Sequence, residues 1–251
     1  MNHTLQTIPL LNLSLAFIPA LVTIFILYKW TLNSTNALYA VSRMLVQLLL
    51  IGYFLSYIFE SESSWVVLII LVVMVVASSW IALGTVADKR LQLYRFAFIA
   101  ITCGGGVTLL LITQAVLTLD PWYSPTSMIP IAGMIFANSM NSVSLAAERL
   151  NAEIGRNVSY DEARKEALRS ALIPVINSLF AVGLVSLPGM MTGQILSGVS
   201  PLIAARYQIM VMCMILGSAG MSTAYFLLLV KPVFEKKLLE MKDDLADIKN
   251  S

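Results

Sequence analysis

Seven apolar runs of about 17 to 24 residues, at 10–28, 37–59, 65–84, 96–119, 128–147, 171–187 and 207–230, fill most of this chain and leave only short polar stretches between them. Each matches the roughly 20 residues that a helix needs to cross the hydrocarbon core of a bilayer. Inside lipid every backbone N–H and C=O must be satisfied within its own segment, and for runs of this kind that form is the helix. The pattern predicts an all-α, polytopic transmembrane bundle of about seven helices, one domain over residues 1–251 with a cytoplasmic amphipathic tail at 232–251. Charge content agrees: 12% of residues are charged, against about a quarter in soluble domains. The residues before the first run contain no Lys or Arg, unlike the basic start of a signal peptide, so that run is expected to be retained.

Basic residues orient the bundle, because Lys and Arg gather on the cytoplasmic side of a membrane. With seven crossings, fourteen of the sixteen fall in alternate loops and the tail, from Lys29, Lys89, Arg90 and Arg95 through Arg149 to Arg169 and on to Lys249. The intervening loops at 60–64 and 120–127 hold none. This places the N-terminus outside and the C-terminus in the cytoplasm. The two remaining cations are Arg43, inside the second run one turn from Gln47, and Arg206, on the outer side just before the seventh. An arginine at such depth either snorkels its head to the interface or takes an acidic partner; for Arg43, Glu148 lies at the matching membrane side. The stretch 188–206, rich in Gly and Pro, is too polar for a regular span and too apolar for an ordinary loop. It reads as a re-entrant or interfacial segment, or else as an external loop. In the tail, Phe234, Leu238, Met241, Leu245 and Ile248 recur at helical spacing among Lys and Asp, an amphipathic helix suited to packing on a neighbour.

Several chemistries are disfavoured. None of the fourteen acidic residues lies in the middle of a run, which argues against a proton-coupled carrier built on a buried carboxylate. The single histidine, His3, sits near the N-terminus, and the sequence has no HExxH, GxSxG or phosphate-loop motif. An intramembrane enzyme is disfavoured, and any use of ATP requires a separate subunit. Cys103 and Cys213 lie in apolar runs at different depths, so neither a disulfide nor a joint metal site is expected. Thirteen methionines, with Met190, Met191, Met210, Met212 and Met214 close together, suit soft metals but more often serve as adaptable packing.

The clearest polar stripe is on the fifth run, where Asn138, Asn141, Ser142 and Leu145 share one helical face. Amides in hydrocarbon need partners, so this face either bonds a neighbouring helix or lines a path for a solute. Between the fifth and sixth runs, SYDEARKEALRSAL begins with Ser159 followed three residues later by Glu162, a capping box. Ala163, Ala167 and Leu168 then make an apolar strip flanked by charges. This is either a surface helix that receives force from an ATPase, with Asp161, Glu162, Arg164, Lys165 and Arg169 at the contact, or a solvated extension of the sixth helix.

The strings IPIAGMIFANSMNSVSLAAERL, ALIPVINSL, LVSLPGMMTGQIL and ARYQIMVM resemble the FetB-like permease family of ABC transporters, which includes bacterial iron-export permeases and plant aluminium-tolerance permeases. The resemblance runs from the first helix to Val230. It implies a homodimeric permease in the bacterial inner membrane, working with two copies of a FetA-like P-loop ATPase. That subunit would use the ATP, this chain would bind no cofactor or nucleic acid, and export of iron would serve metal homeostasis and oxidative stress resistance. The path residues expected on this basis are Asn138, Asn141 and Ser142, with Gly189, Met190, Met191, Thr192, Gly193 and Gln194 at the turn after the sixth helix. One departure is the shorter cytoplasmic stretch before that helix, where family members carry an EALALGAT-like string. A stand-alone carrier or channel for a small solute is the alternative reading.

Overall fold

In the computed structural model, residues 8–60, 63–236, 238 and 239 are described. They fall into two compact units, divided between Glu62 and Ser63. Among them helix is the regular structure throughout, as the apolar runs require.

In the first unit α1 (Leu10–Leu15) and α2 (Phe17–Lys29) meet at Ala16, itself in the right-handed helical region, and together cover one membrane-spanning length. A turn with Thr31 at φ 55° leads into α3 (Ser34–Phe59). No residue of α1 or α2 is buried, which in an apolar helix pair is the surface lipid would cover. With the Gln47 amide oxygen turned toward the guanidinium, it accepts from Arg43 Nε at 3.1 Å and Nη2 at 3.3 Å. Arg43 thus has a neutral partner on its own helix.

The second unit holds α4 (Ser64–Ala82), a 3₁₀ turn (Gly84–Lys89), α5 (Arg90–Leu110) with a π-helical end (Leu111–Val116), α6 (Pro125–Gly155), α7 (Tyr160–Ala181), α8 (Gly189–Leu196) and α9 (Pro201–Leu229). Helical residues 231–236, 238 and 239 follow. The core lies where α5, α6 and α9 meet, around Leu93, Ile101, Ile135, Leu150, Phe226 and Leu227, all fully buried. Small residues let these helices approach, since apolar side chains alone give no reason to leave lipid for one another. A Cβ on Gly104 would stand 2.5 Å from the Ser222 backbone nitrogen, and one on Gly105 3.0 Å from the Phe136 ring. Hydroxyls fasten the same seam: Ser139 donates to the Ser218 carbonyl at 3.3 Å, and Ser222 to Ser139 Oγ at 3.1 Å.

These contacts also set directions. Ser139 and Ser218 pair near the middle of α6 and α9, while Tyr160, just beyond α6, donates its hydroxyl to the Leu227 carbonyl near the end of α9; the two helices run the same way. The chain between them must therefore cross back, and it does so as a broken limb. The sixth expected span, 171–187, is not a helix of its own. Its first part is the second half of α7, which ends at Ala181. Residues 182–187 form a turn in which the Gly183 N–H donates to the Ser186 carbonyl at 2.9 Å, with Gly183 at φ +82°. Pro188 disfavours helix at the residue before it. Among the described residues six helices are consequently long and apolar enough to cross a membrane, against about seven expected.

Other boundaries shift for similar reasons. Ser200 caps α9, accepting from the Ile203 N–H at 3.4 Å, and Pro201 occupies its first position. The helix begins six residues before the apolar run, so Arg206 is part of α9 rather than preceding it. Likewise 188–206 holds the short α8, a turn at Gly198 with φ +89° and the start of α9. Of the amphipathic tail, Phe234 and Leu238 are buried; Met241, Leu245 and Ile248 lie outside the described residues, as does His3. Ten of the eleven basic residues described in this unit lie toward one end of it, from Lys89 through Lys236, and Arg206 lies toward the other.

Candidate functional site: two cavities along one face of α6

The predicted stripe on α6 faces a cavity. Asn138, Asn141, Ser142 and Leu145 line a volume of about 170 Å³, closed on the far side by Ala171, Pro174, Val175 and Ser178 of α7 and by Ile215 of α9. Ser142 is buried and Asn141 exposed. Asn138 donates to the Met134 carbonyl at 2.8 Å, a local bond that holds its amide within the stripe. Pro174 has no N–H, so the Ser170 carbonyl loses its α-helical donor next to this cavity. Donors and acceptors thus face one another between the middle of α6 and the uncharged second half of α7.

One turn along the same face of α6 lies a larger cavity of about 490 Å³, bordered by Pro130, Ile131 and Met134 of α6, Met190 and Gln194 of α8, and Tyr207 and Met210 of α9, with Leu117, Leu119, Thr126 and Ser127 completing it. It is at the end of the unit away from the basic cluster. Pro130 deprives the Thr126 carbonyl of its helical donor, and Gln194 Oε1 is buried with no hydrogen-bond partner. Of the six expected turn residues, Met190 and Gln194 reach this cavity, whereas Gly189, Met191, Thr192 and Gly193 are not among its lining. The two groups of expected path residues therefore belong to two cavities, joined by the α6 stripe.

At the basic end the capping box is formed: Ser159 accepts from the Glu162 N–H at 3.4 Å and donates to its carboxylate at 2.9 Å. Asp161 pairs with Arg164 at 3.2 Å, while Lys165 and Arg169 edge an open groove with Leu168, Leu172, Ile173, Ile176 and Asn177. The expected strip is divided by the packing. Ala163 and Ala167 are fully buried against the bundle, and the outward apolar face starts at Leu168 instead. Helical spacing shows that such a face exists but not which side the bundle takes.

Other polar contacts at this end were not visible in the sequence. Lys89 donates to Asn151 Oδ1 at 2.6 Å and stands 4.6 Å from the Phe234 ring centre. Glu153, buried, takes Arg149 at 2.7 Å and Arg156 at 3.4 Å. Burial pushes the Tyr160 phenol well above its usual range. The i, i+4 and i, i+3 spacings of Arg149 and Arg156 about Glu153 were the available signals; the Lys89 contacts join residues about sixty or more apart. Among the described residues no three His, Cys, Asp or Glu gather where a metal could bind, and Cys103 and Cys213 are free and exposed.

The model of an uncharacterised protein family, UPF0014, matches residues 10–234. The chain is 36% identical over 214 residues to a Synechocystis protein named UPF0014 membrane protein slr1647, covering 78% of this chain and 83% of the relative. It is 35% identical to an Escherichia coli K12 protein named "Probable iron export permease protein FetB", over 84% of this chain and 86% of that one. Identity to the Arabidopsis thaliana protein ALUMINUM SENSITIVE 3 is 32%, over 90% and 88% of the two chains. No solved structure matches the chain.

Proposed function

This chain belongs to the UPF0014 family, and on that premise we propose that it is the membrane-spanning permease subunit of an ATP-binding cassette transporter, exporting iron or another metal ion with energy from a separate FetA-like ATPase. The observation that carries the reading is the polar cavity between α6 and α7, where Asn138, Asn141 and Ser142 face Ser178 in stretches of the two helices that carry no charged residue. An amide left open at such depth costs free energy unless a solute, water or a second chain meets it. The name of the E. coli relative supports iron as the cargo.

The exposed Asn141 supports a homodimer, in which a second copy would cover the open side of that cavity. The basic cluster at one end of the second unit supports a cytoplasmic C-terminus in a bacterial inner membrane, with the N-terminus outside. The same end carries Lys165 and Arg169 beside the groove on α7, the surface on which an ATPase subunit would push.

Affinity purification of the tagged protein from its host tests the partnership. A P-loop ATPase recovered in equal amount, with activity that depends on this chain and rises with iron, is the expected result. A well-folded preparation that repeatedly lacks such a subunit would rule the reading out. Replacing Asn138 and Asn141 together by Leu should abolish export while leaving the ATPase bound; unchanged export would make the stripe purely structural.

A further inference from the structure

Three methionines converge on the larger cavity from three different helices: Met134 on α6, Met190 on α8 and Met210 on α9. Methionine is ordinarily the residue that fills irregular gaps, because its unbranched side chain adapts. Here three of the chain's thirteen border a volume of about 490 Å³ that they leave open. Packing explains their presence in the wall, but not why three flexible side chains surround a space that none of them fills.

We propose that this cavity is a thioether site for a soft monovalent cation, of the Cu(I) or Ag(I) class.

The chemistry of the lining selects this class by what it offers. The wall has no carboxylate, so a hard divalent cation, which wants charged oxygen ligands, would be poorly held. It has no Lys or Arg, so a phosphate or other anion lacks a counter-charge. Thioethers are neutral and polarizable and favour Cu(I); they need lose no proton, so the site would form at any physiological pH. A single positive charge is also the smallest that the apolar surroundings must accept. Gln194 Oε1, buried without a partner, supplies a further neutral donor, as does the Thr126 carbonyl freed by Pro130. The site stands on this chain alone and does not depend on iron being the cargo.

The test uses the full-length protein purified in detergent with Cys103→Ser and Cys213→Ser, because free exposed thiols would bind the same ions. Cu(I) is titrated anaerobically against a chromophoric Cu(I) chelator, with Ag(I) and Fe(II) as competitors. The expected result is about one Cu(I) withheld per chain, displaced by Ag(I) and not by Fe(II), with affinity at least about tenfold weaker after Met134→Leu, Met190→Leu and Met210→Leu combined. Leucine is close to methionine in volume and such exchanges are well tolerated, so thermal unfolding should scarcely change. Should the triple variant fail to fold, Met190→Leu alone, on the short surface helix, must show the weakening. Failure of the cysteine-free protein to withhold Cu(I), or equal retention by the leucine variants, would overturn the proposal. So would a co-purified lipid or detergent molecule that the triple variant releases while Cu(I) does not bind, which would assign the cavity to a neutral amphiphile.

Discussion

Three consecutive glycines on α5 have three different surroundings, and the differences are measurable. A methyl at Gly104 would meet the Ser222 backbone at 2.5 Å, at Gly105 it would meet the Phe136 ring at 3.0 Å, and at Gly106 it would meet nothing within 4 Å. Backbone cannot step aside as a ring can. Gly104→Ala should therefore destabilise by about 1–3 kcal/mol through overpacking, Gly105→Ala by less, and Gly106→Ala should be neutral or slightly stabilising through helix propensity; thermal unfolding in detergent checks the order. Tyr160 gives a second prediction. Its folded-state phenol titrates above the usual 10.0, so the unfolded chain loses that proton first as pH rises. The associated stability is intact below about pH 10 and falls above it, and Tyr160→Phe should flatten that alkaline decline in the unfolding midpoint. None of these environments was legible in the sequence, where GGG is one string and Tyr160 only the residue after a cap.

At the scale of elements, local chemistry was legible and long-range pairing was not. The capping box at Ser159 formed as its spacing implies, because both partners lie within one turn. Ser159→Ala should cost about 1 kcal/mol and lower the unfolding temperature, with Glu162→Gln milder since an amide can still accept from the cap. The polar stripe on α6 was legible for the same reason, as a matter of periodicity along one helix. That Met134 extends it to a second cavity was not, for the other walls come from α8 and α9. Hydropathy counted 171–187 as a span by composition, yet Gly183 and Pro188 end the helix there, a case of backbone geometry overriding apolar content. The fate of Ala163 and Ala167 shows the same limit: both sides of α7 carry apolar residues, and only the fold decides which is buried.

For the whole molecule, the separation of charge along the second unit makes a prediction about sidedness. In a background with Cys103→Ser and Cys213→Ser, a cysteine at Thr126 should react with a membrane-impermeant maleimide added to intact spheroplasts. One at Asn157, among the basic residues, should react only after permeabilisation. The reverse pattern would invert the proposed orientation, and with it the side on which an ATPase could act. The broken return limb adds a mechanical consequence. A continuous helix transmits torque from end to end, but a limb interrupted at Gly183 does not. A partner that twists α7 at its basic end would leave α8 untwisted, and the strain would reach the far cavity through α6 and α9, helical over 31 and 29 residues and both bordering the two chambers. The second unit is thus geared on a pair of parallel shafts.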